Sequence, residues 1–68
     1  MRIQYDSQVD ALSIIFREAQ AITHELGQGI AVDIDSDGNL VAIEVLDAAK
    51  KLGGLESLEN VSMKTVNV

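Results

Sequence analysis

Residues 30–45 hold two apolar runs that mirror each other across a short polar stretch. Ile30, Val32 and Ile34 alternate with Ala31, Asp33 and Asp35, and Val41, Ile43 and Val45 alternate with Leu40, Ala42, Glu44 and Leu46. Alternation at period two places every second side chain on one face of a strand. Between the runs lies Ser36-Asp37-Gly38-Asn39, and Asp-Gly is a strong hairpin signal because glycine takes the positive φ such a loop needs. With 36–39 as the loop, Ile34 faces Val41, Val32 faces Ile43 and Ile30 faces Val45. All six are β-branched and share one face. A slip of one residue would send one strand's apolar set to the other side, so the register is specified by the residues themselves.

The remaining elements are read outward from this hairpin. Arg2–Asp6 is a strand with Ile3 and Tyr5 on one face. Ser7-Gln8-Val9-Asp10 is a turn, and the Asp6 carboxylate can accept from a backbone N–H two residues on. Ala11–Phe16 returns as a strand with Leu12, Ile14 and Phe16 aligned, which pairs Asp6 with Ala11, Tyr5 with Leu12 and Ile3 with Ile14. Arg17-Glu18-Ala19-Gln20 turns the chain again. Ala21–Leu26 alternates Ile22, His24 and Leu26 with Thr23 and Glu25, followed by Gly27 and Gly29. A helix over 17–26 competes, since its first residues are good helix formers; the alternation and the glycines favour a strand. Asp47 is a suitable N-cap for a short helix Ala48–Leu52, with Gly53 at C′ and Lys50 and Lys51 at the negative end. Two turns are not stable alone, so this helix docks on the sheet through Ala48, Ala49 and Leu52. Leu55–Glu59 reads as one more helical turn, and Val61–Val68 as a last strand or an extended arm.

The expectation is an α+β fold: a small antiparallel β-meander of about five strands with one short helix packed on one face. Residues 1–68 form a single domain, with its core in 1–52 and a C-terminal arm or strand in 53–68. Sixty-eight residues leave no room for a dinucleotide fold or a barrel. A chain this short is marginal alone, and without cysteine it has no disulfide to help. Oligomerisation is the common remedy, and a homodimer is expected.

Eleven acids against five bases give a net charge of −6. That argues against a nucleic-acid surface, which needs clustered Lys and Arg. No cysteine-ligated metal site can form. No apolar run approaches the length of a membrane span, and Met1-Arg2-Ile3-Gln4-Tyr5-Asp6 lacks the apolar core of a signal peptide. A cytoplasmic, bacterial-style protein is expected.

Two stretches carry a recognisable pattern: Tyr5-Asp6-x-x-x-Asp10-Ala11-Leu12-Ser13-Ile14, and Gly29-Ile30-Ala31-Val32-Asp33-x-Asp35-x-Asp37-Gly38-x-Leu40-Val41-Ala42-Ile43-Glu44-Val45-Leu46-Asp47-Ala48-Ala49. Together they resemble a family of short bacterial and archaeal proteins catalogued as a domain of unknown function, whose members read roughly YDxxxDALYI and GIxVDxDxxGxxxGIEILDAS. The chain departs at Ser13, where the family often has Tyr, at Ala42, where it often has Gly, and at Ala49, in place of a frequent Ser. The resemblance covers about residues 1–52. It implies a small antiparallel sheet with a helix. It brings no established activity; relatives that look like small solitary proteins beside toxin-like partners suggest an antitoxin-like role.

The motif with the sharpest chemistry is Asp33-x-Asp35-x-Asp37-Gly38-x₅-Glu44, which matches the EF-hand calcium-loop formula. An EF-hand needs flanking helices, whereas these flanks alternate at period two. Glu44 cannot both sit in a strand and swing round as a bidentate twelfth ligand. A plain hairpin is the stronger reading, and a weak Ca²⁺ or other cation site at Asp33, Asp35, Asp37 and Glu44 is the alternative. Asp33, Asp35 and Glu44 fall opposite the β-branched face, on what reads as the wet side of the sheet or a surface for a basic partner. His24 is the only imidazole; it reads as a packed or rim histidine, since no second histidine and no triad spacing accompany it. Asp6 and Asp10 bracket the first turn and read as acceptors for turn N–H groups rather than an acid–base pair. The functional expectation is a non-catalytic protein-interaction module with no cofactor. A small enzyme using His24 or Asp6 and Asp10 at a subunit interface is a third reading with no support beyond those groups.

Overall fold

The computed structural model describes residues 1–54, 56 and 62–66. It contains five strands and a helix: β1 (Arg2–Asp6), β2 (Ala11–Ile15), β3 (Ile22–Gly27), β4 (Ile30–Ile34), β5 (Leu40–Leu46) and α1 (Ala48–Lys51). All neighbouring strands are antiparallel, in the order β1-β2-β5-β4-β3. The expected α+β class is therefore what the chain adopts. β3, β4 and β5 run as a meander, and the β1–β2 hairpin joins it along the free side of β5.

The first hairpin has the expected register, with Asp6 opposite Ala11, Tyr5 opposite Leu12 and Ile3 opposite Ile14. Its turn closes as the sequence suggests, with the Gln8 N–H donating to Asp6 Oδ1 at 3.0 Å. β3 is extended, so alternation prevails over the helix propensity of 17–21. β3 and β4 are joined through Gln28 and Gly29, both at positive φ (58° and 74°), which a two-residue turn matched to the strand twist requires.

The central hairpin pairs Ile30 with Val45 and Val32 with Ile43, as expected. Its closing pair differs: Ile34 lies opposite Leu40, not Val41. Val41 is the extra residue of a bulge, and the cause is the loop. Asp35 accepts from the Asp37 and Asn39 N–H groups through Oδ1 (2.9 and 2.8 Å). The Asp35 N–H donates to the Asn39 carbonyl (2.9 Å), and the Gly38 N–H donates to the Asp35 carbonyl (3.0 Å). This closes the loop over 35–39 rather than 36–39, and the odd loop length shifts the register by one residue on β5. Val41 spends the extra position usefully, since it is buried and its carbonyl accepts from the Phe16 N–H.

The connection from β2 to β3 must pass the ends of β5 and β4. Three strand spacings come to about 14 Å, well within reach of six residues. Arg17, in this connection, forms an ion pair with Asp35 of the 35–39 loop and so ties the crossing to the hairpin it passes.

Helix α1 sits at the opposite end of the sheet. Asp47 occupies the N-cap position in a left-handed conformation (φ 53°, ψ 43°) but makes no side-chain cap. The cap comes from Asp10: its carbonyl accepts from the Ala48 N–H (3.1 Å) and its Oδ1 from the Ala49 N–H (2.9 Å). The C-terminus ends as expected, with Gly53 at φ 81° and the Gly54 N–H reaching the Ala49 carbonyl, the bond that closes a Schellman turn. Docking runs through Ala48, which is fully buried; Leu52, expected to help, is 41% exposed. The expected helical turn at Leu55–Glu59 lies outside the described residues except for Glu56. Residues 62–66 of the expected last strand or arm are exposed and in no strand.

Candidate functional site

Parity along each strand sorts the side chains onto two faces. One face carries a row over four strands, Tyr5, Leu12, Val45 and Ile30, and a row over all five, Ile3, Ile14, Ile43, Val32 and His24. Ile22, Ile34 and Val41 extend it towards the loop end. No Asp, Glu, Lys or Arg of any strand lies on this face. Among the described residues only Leu12, Val41, Ala42 and Ala48 are buried, and no large side chain is sealed from solvent. The six β-branched residues of the central hairpin form a continuous apolar surface, yet Ile30, Val32, Ile34, Ile43 and Val45 are only half-buried. His24 stands exposed at the rim, on edge strand β3.

The opposite face carries Asp6, Glu25, Asp33 and Glu44. Between β2 and β3 it dips into a shallow trough of about 420 Å³, floored by small residues such as Ala11, Ser13 and Ala31 and flanked by Glu25 and Glu44. Ser13 is opposite Glu44, and Glu44 opposite Ala31. The only imidazole, His24, is on the other face, so the neighbour of Ser13 across the strands is the Glu44 carboxylate.

Two of the four carboxylates of the calcium-loop formula are engaged within the hairpin and its neighbours. Asp35 Oδ1 holds two loop amides and Oδ2 the Arg17 guanidinium. These contacts, the guanidinium first, hold its carboxyl below the usual carboxylate range. Asp33 accepts from the Thr23 hydroxyl at 2.6 Å. Glu44 sits within β5, flanked by Ser13 and Ala31. No group of three His, Asp or Glu side chains that could hold a metal ion is present among the described residues.

Asp6 and Asp10 do not act as a pair. Asp6 serves its own turn. Asp10 accepts from the Tyr5 hydroxyl at 2.6 Å as well as capping α1. The Tyr5 hydrogen bond, then the Ala49 amide and the charge of Lys51, lower the Asp10 carboxyl below its ordinary value. The same hydrogen bond, with desolvation and the charges of Asp10 and Asp6, raises the Tyr5 phenol. This cluster fastens sheet to helix. Sequence reasoning missed it because its partners lie 39 residues apart; the available signal was an Asp at the last position of a turn, where a left-handed residue is common.

No helix among the described residues is long and apolar enough to cross a membrane. No curated protein and no solved structure matches the chain. A family described as protein of unknown function (DUF2283) matches residues 2–48, from the start of β1 into α1. The match spans more than half of the chain, and the chain belongs to that family.

Proposed function

We propose that this DUF2283 protein is a non-catalytic protein-interaction module that works through its apolar sheet face. The observation that carries the reading is that face itself: one row across all five strands and a second across four, with no Asp, Glu, Lys or Arg, and with the central residues of β4 and β5 only half-buried. A sheet with an apolar face is stable when that face is buried against another layer, and contiguous exposed apolar patches of this kind mark interaction sites. The acidic opposite face and loops keep the remaining surface hydrated, and their charge speeds encounter with a basic partner more than it adds affinity. An antitoxin-like role is one case of the same module. The hydrogen bonds that engage Asp33 and Asp35, and the place of Glu44 within β5, favour a structural hairpin over a cation site.

The test is whether the face is open for docking. An environment-sensitive dye such as anilinonaphthalene sulfonate is titrated against the chain from 0.1 to 500 μM (about the range in which weak and moderate protein contacts form), with sedimentation velocity alongside. Dye binding to the dilute chain, or self-association on concentration, is the expected result. A chain that neither binds dye nor associates has closed the face by itself, and the reading fails.

A further inference from the structure

We infer that the apolar face is the interface of a homodimer, with a second copy of this chain stacked on it face to face to make a two-layer sandwich. This rests on the interaction reading above and names its partner.

The first argument is area. A compact folded chain of 7.3 kDa exposes about 4,200 Å², whereas this chain exposes 5375 Å². The exposed stretch at 62–66 supplies part of the excess. A surface this large for the mass leaves area to be covered by a partner, and a standard specific interface covers roughly 800 Å² on each side. The shape agrees: the molecule extends 35 × 34 Å but only 19 Å in its thin direction. Sheets in a sandwich pack about 10 Å apart, so a second layer is what this slab lacks.

The second argument is the distribution of charge. Each copy carries −6, and two such chains repel. Every charged strand residue, however, lies on the other face or on the rim, so stacked copies keep their carboxylates outward. A basic partner would find no carboxylate on this face to pair with. A second copy presents the same flat, uncharged, β-branched surface, and a two-fold interface needs that self-complementarity. Ile43 stands at the middle, on the central strand and in the row that crosses all five.

Salt separates the two partners. Screening weakens repulsion between like-charged copies, so dimerisation strengthens from 20 mM to 500 mM NaCl, whereas attraction of a basic partner to the acidic chain weakens.

Sedimentation equilibrium across concentration and salt, on the full chain and on Ile43→Glu, Ile3→Glu and Gln4→Glu, tests the inference. Ile3 is on edge strand β1 and 43% exposed, so its variant folds even where Ile43→Glu does not; Gln4 is its neighbour on the acidic face. Expected are a wild-type dimer that tightens with salt, a dissociation constant at least a hundredfold weaker for folded Ile43→Glu and tenfold weaker for Ile3→Glu, and little change for Gln4→Glu. Mixed-label NMR then shows contacts between Ile43 and Val32 methyls of different copies. A dimer that survives both isoleucine substitutions, or lacks those contacts, associates through another surface and overturns the inference. A wild-type monomer that binds dye overturns it while leaving docking to a different protein intact. A monomer that binds no dye overturns both.

Discussion

Gly29 and Gly38 sit in the two hairpin loops of the meander at nearly the same φ, +74° and +83°, and alanine at each should reveal different things. A non-glycine residue in the left-handed region costs about 1–2 kcal/mol. A Cβ on Gly38 meets nothing within 4 Å, so Gly38→Ala should cost that amount and no more. A Cβ on Gly29 would stand 2.8 Å from Lys51 Nζ and 3.3 Å from Leu46 Cβ. Leu46 Cβ is carried by the β5 backbone, whose Leu46 N–H donates to the Gly29 carbonyl at 2.8 Å, so relieving that contact strains the pairing; Lys51 must also leave, and with it the hydrogen bond it donates to the Leu46 carbonyl. That bond contributes about 1 kcal/mol, so Gly29→Ala should cost about 2–3 kcal/mol. The entropy that alanine removes from the unfolded chain is common to both sites and cancels in the comparison. Urea unfolding at one fixed protein concentration measures each cost from the midpoint shift at constant m. The decisive variant is Lys51→Met, which keeps the stem and removes the amine. In that background the cost of Gly29→Ala should fall by about 1 kcal/mol, staying above that of Gly38→Ala by the strain against Leu46 Cβ. Equal costs for Gly29→Ala in both backgrounds would refute the role given to Lys51.

Asp10 and Asp35 are depressed in the folded state, so their contribution is present above the unfolded carboxylate range and is lost as pH falls through their folded values. Stability should decline below about pH 4, and Asp10→Asn should flatten that decline in a pH series of urea melts. Tyr5 is raised, so its contribution is complete below about pH 10 and is lost as pH climbs beyond; Tyr5→Phe should remove this alkaline loss. Leu12 is 6% exposed, and Leu12→Ala should cost about 2–5 kcal/mol, comparable to the whole stability of a domain this size; a variant with an unchanged thermal midpoint would show that Leu12 is not core. Millimolar calcium should leave the amide resonances of residues 33–44 in place, because Asp35 is already committed to Arg17 and the loop amides; saturable shifts at Asp33, Asp37 and Glu44 would restore the cation reading.

Patterns that repeat within one or two strands were legible in the chain. The register of Ile3 with Ile14, and of Val32 with Ile43, follows from alternation because a slip exposes a whole apolar set. The end at Gly53 was legible because a left-handed residue there favours glycine. What escaped was everything that depends on a distant partner. Asp47 has the right side chain to cap α1, yet Asp10 does so, because the β1–β2 turn brings its carboxylate to the helix. The bulge at Val41 follows from Asp35 gathering the loop amides, a choice that alternation cannot encode. The openness of the apolar face was also invisible: periodicity says which side is apolar, and nothing about whether a second layer exists.

The place of β5 bears on how the molecule comes into being. Among the described residues it is the last strand in sequence and the central one in the sheet, and it joins the β1–β2 hairpin to β4 and β3. Its partners on β2 lie 27 to 35 residues earlier, from Ile15 with Ala42 to Ala11 with Leu46. A chain emerging from the ribosome can therefore close two local hairpins early, but they have no edge in common until Leu40–Leu46 is free to enter between them. Completion waits for the emergence of Leu40–Leu46, and closing that long loop is the entropically demanding step. A chain halted before Leu40 would hold two disconnected ribbons, each with its greasy side bare, so the entry of this one strand turns two separate hairpins into a single sheet.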